Sequence, residues 1–190
     1  EILSEATNTI AEGEVKQLLN IHNAEITRED YLDVIRSKTA KLFEAAAQLG
    51  PVLAGRSGEE ERALADYGMF LGSAYQLVDD ALDYGASSDE LGKNIGDDLA
   101  EGKPTLPLIH ALHNGNPEQQ AVVREAIEQG GKENIDKVME AVESTGAIEY
   151  TSRSAQAEAE RAIAALEPVP ASPYKDAMIA LAEFAVARTF

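Results

Sequence analysis

The 190 residues carry 16 basic and 34 acidic side chains, a formal net charge of −18, which repels phosphate backbones and anionic lipid and argues against nucleic-acid and membrane-surface partners. Cysteine is absent, which removes disulfides and thiolate chemistry and suits a cytoplasmic setting. A hydrophobic share of 44% beside 26% charged residues is the balance of a water-soluble globular chain long enough for one core, and neither a membrane span nor a signal peptide is visible.

Apolar residues recur at three- and four-residue spacing nearly throughout, and strand signals are almost absent, so the chain is expected to be all-α. A first helix is predicted over residues 1–19. The opening "EILSEATNTI" lacks Met and is already helical in pattern, so the chain is expected to be the rear part of a longer protein. A second helix is predicted from Thr27, as N-cap, through "REDYLDVIRSKTAKLFEAAAQLG", with continuation or a kink at Pro51. Ser57 and Glu60 predict a capping box for a third helix ending near Tyr84, with Gly85 just beyond it. Next comes "ASSDELGKNIGDDLAEGKPT", a polar, glycine-punctuated loop with room for one helical turn. Pro104 and Pro107 open the following helix, Asn116-Pro117 another, and "KENIDKVMEAVEST" a short one. Two closing helices are predicted, from "GAIEYTSRSAQAEAERAIAAL" and from Ser172-Pro173 onward. With no repeat, linker or low-complexity segment, residues 1–190 are expected to form a single all-α domain or most of one.

The third helix places three aspartates where an apolar helix is expected. At about 100° per residue, Gln76, Asp79, Asp80 and Asp83 share one stripe roughly 100° wide, beside a stripe made of Leu71, Tyr75, Val78 and Leu82. Acids that adjoin the core side suit the wall of a cavity, and hard oxygens at that spacing suit Mg²⁺, which takes few carboxylates and completes its shell with water and phosphate oxygens. A lone D-D-x-x-D is better explained by a solvated acidic face. Lys93 and Lys103 follow in the glycine-rich loop, and Lys38-Thr39 stands upstream amid apolar turns. Metal on one side and ammonium groups on the other suit a diphosphate. Taken singly, each lysine reads as ordinary solvation. His110 and His113 are three apart on a helix without an evident third ligand and read as ordinary helix histidines. Tyr75 reads as a packed core aromatic, and "EAEAE" as a solvated face.

In combination these residues resemble a family. "Gln76-Leu-Val-Asp79-Asp80-Ala-Leu-Asp83", then "Gly92-Lys93-Asn-Ile-Gly96-Asp-Asp98-Leu" and "Gly102-Lys103-Pro-Thr-Leu-Pro", are similar to the second aspartate-rich region of the trans-isoprenyl (polyprenyl) diphosphate synthases. Lys38-Thr39 is similar to that family's Lys-Thr pair on an earlier helix, and "Glu12-Gly13-Glu14-Val-Lys-Gln17" to the segment before it. The likeness spans essentially the whole chain and is nearest to the bacterial octaprenyl-forming members.

The resemblance implies an isoprenoid synthase-type helical bundle and a prenyltransferase that elongates an allylic prenyl diphosphate with isopentenyl diphosphate, in the trans configuration. It implies a long-chain, octaprenyl-type product for quinone side chains. It also implies Mg²⁺, with Asp79 as a direct ligand and Asp80 and Asp83 acting through bound waters. Lys38, Lys93 and Lys103 would hold the allylic diphosphate, and Thr39 and Gln76 would turn oxygens toward the carbon of the allylic cation. A homodimer is implied through helices near the start of the chain. The family's first aspartate-rich motif and its isopentenyl diphosphate pocket are not among these residues, so this portion by itself is expected to be inactive. Two alternatives stand beside this reading: a non-catalytic helical subunit of a heteromeric synthase, and a class I terpene cyclase. Such subunits tend to lose acidic-motif residues, and the cyclases lack the lysine-rich loop.

Overall fold

The computed structural model describes residues 1–85, 96–130 and 133–187, and among them every regular element is helical. In chain order these are α1 (Ile2–Asn20), α2 (Arg28–Ile35), a π turn (Arg36–Ala40), α3 (Lys41–Leu53), α4 (Gly58–Gly85), α5 (Asp97–Ala100), α6 (Leu106–Asn114), α7 (Pro117–Gln129), α8 (Ile135–Ser144), α9 (Ala147–Ala165) and α10 (Pro173–Val186). No helix among the described residues is long and apolar enough to cross a membrane.

The helix starts follow from the capping chemistry. Thr27 Oγ1 accepts from the Asp30 N–H at 3.1 Å and donates to Asp30 Oδ2 at 2.7 Å, which satisfies an orphan donor and seats the first turn of α2. Asn116 and Gln119 close a reciprocal capping box at α7, with Pro117 directly after the cap. Ser172 caps α10 through the Lys175 N–H. At α4 the box is only half as predicted: Ser57 Oγ accepts from the Glu60 N–H, whereas the Glu60 carboxylate accepts from the Arg56 guanidinium. Gly85 is the last residue of α4 rather than the residue beyond it, a difference of the size by which helix ends fray.

The single long helix predicted from Thr27 is divided. Its ladder slips at Arg36–Ala40, where the Lys41 N–H bonds back to Arg36 O, five residues earlier. Pro51 does not end the helix, because α3 runs on to Leu53. This close to the C-terminus, the missing proline N–H costs one late bond and disturbs little beyond it.

The described residues cluster into two compact units. The first holds Glu1–Glu14, Asp33–Val78 and the described residues of Ser154–Thr189. Tyr67, Leu71, Ala162, Leu166, Ala182 and Ala185 form its core, on α4, α9 and α10. The Tyr67 hydroxyl donates to Met178 O at 2.9 Å, so the phenol is buried without an orphaned polar end. Tyr75 departs from the packed-core expectation. It is 41% exposed and leans on Phe43 with ring centroids 5.9 Å apart.

The second unit holds Val15–Leu32 and the described residues of Asp79–Arg153. Leu108, Val123, Ile127, Val138 and Val142 are fully buried there, on α6, α7 and α8, each contributing about 1.5–3 kcal/mol of burial free energy. A three-way junction ties its first loop to the turn after α5. The His22 N–H donates to Gly102 O at 2.9 Å, and His22 Nδ1 meets Ile127 O at 2.9 Å, so that nitrogen carries the proton. Gly102 has φ +71°, which favours glycine, and a side chain there would collide with the His22 ring. The turn that delivers Lys103 is therefore shaped around an imidazole.

Candidate active site

In the first unit the site residues gather around the π turn. The backbone of α1 approaches this turn so closely at Gly13 that a Cβ would lie 2.6 Å from Lys38 N and 2.8 Å from Ser37 C. The next residue, Glu14, reaches Lys38 Nζ with Oε2 at 2.7 Å. Arg36, the first residue of the turn, extends Nη2 to 3.5 Å from Glu158 Oε1, whose carboxylate also takes Arg161 at 2.7 Å. The turn is thus held by backbone contact on one side and by charge at its start. Within it, the Thr39 hydroxyl donates to Gln76 Oε1 at 3.3 Å. The residues expected to face a carbocation are therefore brought together, and both remain part-exposed. A π turn leaves backbone and side chains out of the ordinary 3.6-residue phase, an arrangement that recurs at functional sites.

In the second unit the acids gather. Asp80 is 3% exposed, and Asp79 and Asp83 are half-buried. Tyr31, 4% exposed and in the first turn of α2, donates its hydroxyl to Asp80 Oδ2 at 2.5 Å. Burial, followed by the Asp80 charge, pushes the Tyr31 hydroxyl well above its usual range. Across from α4, the Asp98 N–H donates to Asp83 Oδ2 at 3.3 Å, and the Gly96 N–H donates to Asp83 O at 3.2 Å. These bonds hold the start of α5 against the end of the acid stripe. Asp83 is pushed up to about 6 by burial, then by the Asp98 charge. Asp98 is raised by burial against the opposing pull of Lys103.

Lys103 Nζ lies 3.5 Å from Asp98 Oδ1 and pairs with Glu101. Burial is the largest single influence on this lysine and would lower it, but the bonds and charges of Glu101 and Asp98 together hold it above its usual value. Lys93 lies outside the described residues.

Among the described residues no three acidic or imidazole groups converge closely enough to chelate one ion. The wall therefore offers separate carboxylate oxygens rather than a closed cage. That donor set fits Mg²⁺, which keeps several waters and completes its shell with substrate oxygens. The His110–His113 pair is occupied elsewhere. His110 Nε2 meets Thr145 O at 3.2 Å and its ring stacks on Tyr150, while His113 Nδ1 meets Ile109 O.

The sequence alone assigns no role to Glu14, Tyr31 or Asp98. Glu14 and Asp98 lie inside the quoted motifs, and their charge is the available signal. Nothing in the sequence marks Tyr31, which occupies an ordinary core position of α2.

Comparison with known proteins shows the family of the chain. The sequence profile of the polyprenyl synthetase family matches residues 1–145. The chain is 56% identical over 189 residues to octaprenyl diphosphate synthase of Escherichia coli, covering 99% of this chain and 58% of that one. It is 52% identical over 190 residues to octaprenyl diphosphate synthase of Haemophilus influenzae, covering 100% of this chain and 58% of the other. It thus spans under two thirds of the length of these relatives. The crystal structure of a polyprenyl synthase from Caulobacter crescentus, complexed with calcium and isoprenyl diphosphate, superposes with a TM-score of 0.92 at 43% identity, over 99% of this chain and 58% of that one. The helices accordingly have the isoprenoid synthase fold, and the chain belongs to the polyprenyl synthetase family.

Proposed function

We propose that the chain acts as part of a trans-polyprenyl diphosphate synthase, a Mg²⁺-dependent prenyltransferase. It joins an allylic prenyl diphosphate to isopentenyl diphosphate and makes a long-chain, octaprenyl-type product for quinone side chains. In this reading residues 1–190 belong to one catalytic domain of a cytoplasmic homodimer.

The observation that carries the reading is the acid wall. Asp80 is buried, Asp83 and Asp98 are partly buried, and Lys103 lies 3.5 Å from Asp98. Like charges gathered in this way are costly until a cation neutralises them. Asp79 directly, and Asp80 and Asp83 through bound waters, would hold a divalent metal that would supply charge neutralisation to a departing diphosphate. Lys38, Lys93 and Lys103 bind the diphosphate oxygens as point charges. As the allylic carbon–oxygen bond breaks, Thr39 and Gln76 turn oxygens toward the electron-poor carbon. The isopentenyl double bond forms the new carbon–carbon bond, and a proton is lost. Apolar helices exclude the water that would otherwise quench the cation. Retention of Asp79, Asp80 and Asp83 speaks against a non-catalytic subunit, and Lys103 in its Gly-Lys-Pro-Thr turn speaks against a terpene cyclase.

The test is incubation of the complete synthase with farnesyl diphosphate, radiolabelled isopentenyl diphosphate and Mg²⁺. Labelled long-chain prenyl diphosphate is expected, with none from the 190-residue chain alone. Cyclic hydrocarbon, or no incorporation of label, overturns the reading.

A further inference from the structure

We propose that His22 is a positioning residue for Lys103, its imidazole fixing the Gly102 turn from which that lysine extends toward the allylic diphosphate. The inference rests on the reading of Lys103 as a ligand of that diphosphate.

Among the described residues, His22 is the one residue other than glycine with a positive φ, 60°. That conformation is uncommon for a residue with a Cβ, and it persists where the surroundings over-determine it. Here two other segments of the second unit supply the surroundings. The His22 N–H donates to Gly102 O, beyond α5, at 2.9 Å. The protonated Nδ1 donates to Ile127 O, in the last turn of α7, at 2.9 Å. The ring also abuts two glycines of positive φ, Gly102 at 71° and Gly130 at 68°. A Cβ on Gly130 would lie 2.9 Å from His22 Cε1, and one on Gly102 would collide with the ring. Burial does not account for the arrangement, because His22 as a residue is exposed. Directed bonds and close backbone hold it instead.

The backbone that the ring touches leads directly into Lys103. The Gly102 N–H bonds to Leu99 O at 2.9 Å and the Lys103 N–H to Asp98 O at 2.9 Å, so a left-handed glycine closes α5 and turns the chain into the lysine. Those bonds set the turn's own shape, whereas His22 sets where the turn stands against α7. A lysine is a point charge on a flexible stem, and its reach depends on where its backbone starts. A displaced ammonium loses hold of the diphosphate in ground and transition states alike, which raises KM rather than lowering kcat.

His22→Gly removes the imidazole and keeps the backbone path, since glycine takes a positive φ without strain. In the complete synthase with Mg²⁺ it should raise the KM for farnesyl diphosphate about threefold with kcat little changed, and Lys103→Met should raise it about tenfold. The deciding measurement is the double variant. If His22 acts through Lys103, His22→Gly adds no further increase once the lysine is gone. A purely structural histidine would lower the melting temperature and leave KM unmoved, or raise KM by the same factor in both backgrounds, and either result overturns the proposal. If Lys103→Met raises KM and His22→Gly does not, His22 has no such role and Lys103 remains a diphosphate ligand. If Lys103→Met leaves KM unmoved, the reading of Lys103 falls and this proposal with it. Should His22→Gly fail to fold, His22→Asn carries the test, because asparagine tolerates a positive φ and lacks the ring. A KM increase that vanishes in the Lys103→Met background supports the proposal, and none overturns it.

Discussion

The π turn and the acid wall hold charged groups in opposite ways. At the π turn the cation is matched: Lys38 meets Glu14 at 2.7 Å, and α1 fits the turn because residue 13 has no side chain. At the acid wall buried carboxylates stand near one another. Burial and a neighbouring carboxylate push Asp83 up to about 6, and Asp80 rests on a neutral phenol. The first region can be complete before any ligand arrives, with its position set by backbone contact. The second gathers acids that burial and mutual repulsion disfavour, and in the proposed reading a divalent cation relieves them. Packing substitutions should therefore damage the π turn, and charge substitutions the wall.

The largest effect is expected at the wall. In the complete synthase, Asp79→Ala should lower kcat and kcat/KM together by ~10²-fold or more, as for one removed electrostatic group acting in the transition state. Steady-state kinetics at saturating Mg²⁺ measures this, and near-normal turnover would remove Asp79 from the wall's chemistry.

At the π turn the expected loss is of packing. Gly13→Ala sets a methyl 2.6 Å from Lys38 N and should cost about 1–3 kcal/mol of stability through overpacking. At Gly50 in α3, a methyl would meet no atom within 4 Å, so Gly50→Ala should stabilise by up to about 1 kcal/mol. Urea denaturation of the two variants side by side reads the contrast. Equal effects would mean that backbone proximity does not hold the turn.

Lys38→Ala should raise the KM for the allylic substrate about tenfold with less change in kcat, because a lysine that binds diphosphate in ground and transition states alike contributes uniform binding. Lys41→Ala is the control, since Lys41 lies beyond the π turn, at the start of α3. Matching effects would make the Lys-Thr pair incidental.

The smallest effect is a slope against pH. With its pKa raised from 3.8 to about 6, the folded Asp83 keeps its proton where the unfolded chain has released it. The folded state then binds more protons, so the stability contributed by this group falls as pH rises between about 4 and 6. Among the described residues, the charges of Asp98 and Asp97 add to this shift. In metal-free buffer the Asp83→Asn variant should lose less melting temperature than the parent between about pH 4 and pH 7, by roughly a few degrees. A parallel decline would show that Asp83 is not the titrating group.

Much of this was legible in the sequence, because it depends on local chemistry. Thr27, Asn116 and Ser172 announced their helices as cap residues, and Asp79, Asp80 and Asp83 announced a stripe through their spacing. Other features depend on partners distant in the chain. No periodicity reports that the ladder slips at Arg36–Ala40, since each of those residues is compatible with an α-helix and tertiary contact at Gly13 accompanies the slip. Tyr31 reads as core by every local measure, and only the fold brings its hydroxyl to Asp80, 49 residues away. Tyr75 misled in the other direction: its place on an apolar stripe suggested burial, yet it is 41% exposed.

The π turn also makes residue count, and not only residue kind, a property of the site. It holds one residue more than a regular ladder needs, so that slack is confined to Arg36–Ala40. Deleting one residue there lets an α-helical ladder close while α3 keeps its faces, with Ala45 still inward and the 56%-exposed Leu42 still outward. The fold survives, but the Lys38-Thr39 pair shifts in phase and Thr39 leaves Gln76. Deleting one residue within Lys41–Leu53 meets no such slack, and the rest of α3 turns by about 100° about its axis. The first deletion should yield a folded chain whose site is wrongly set, and the second a chain with a scrambled helix face.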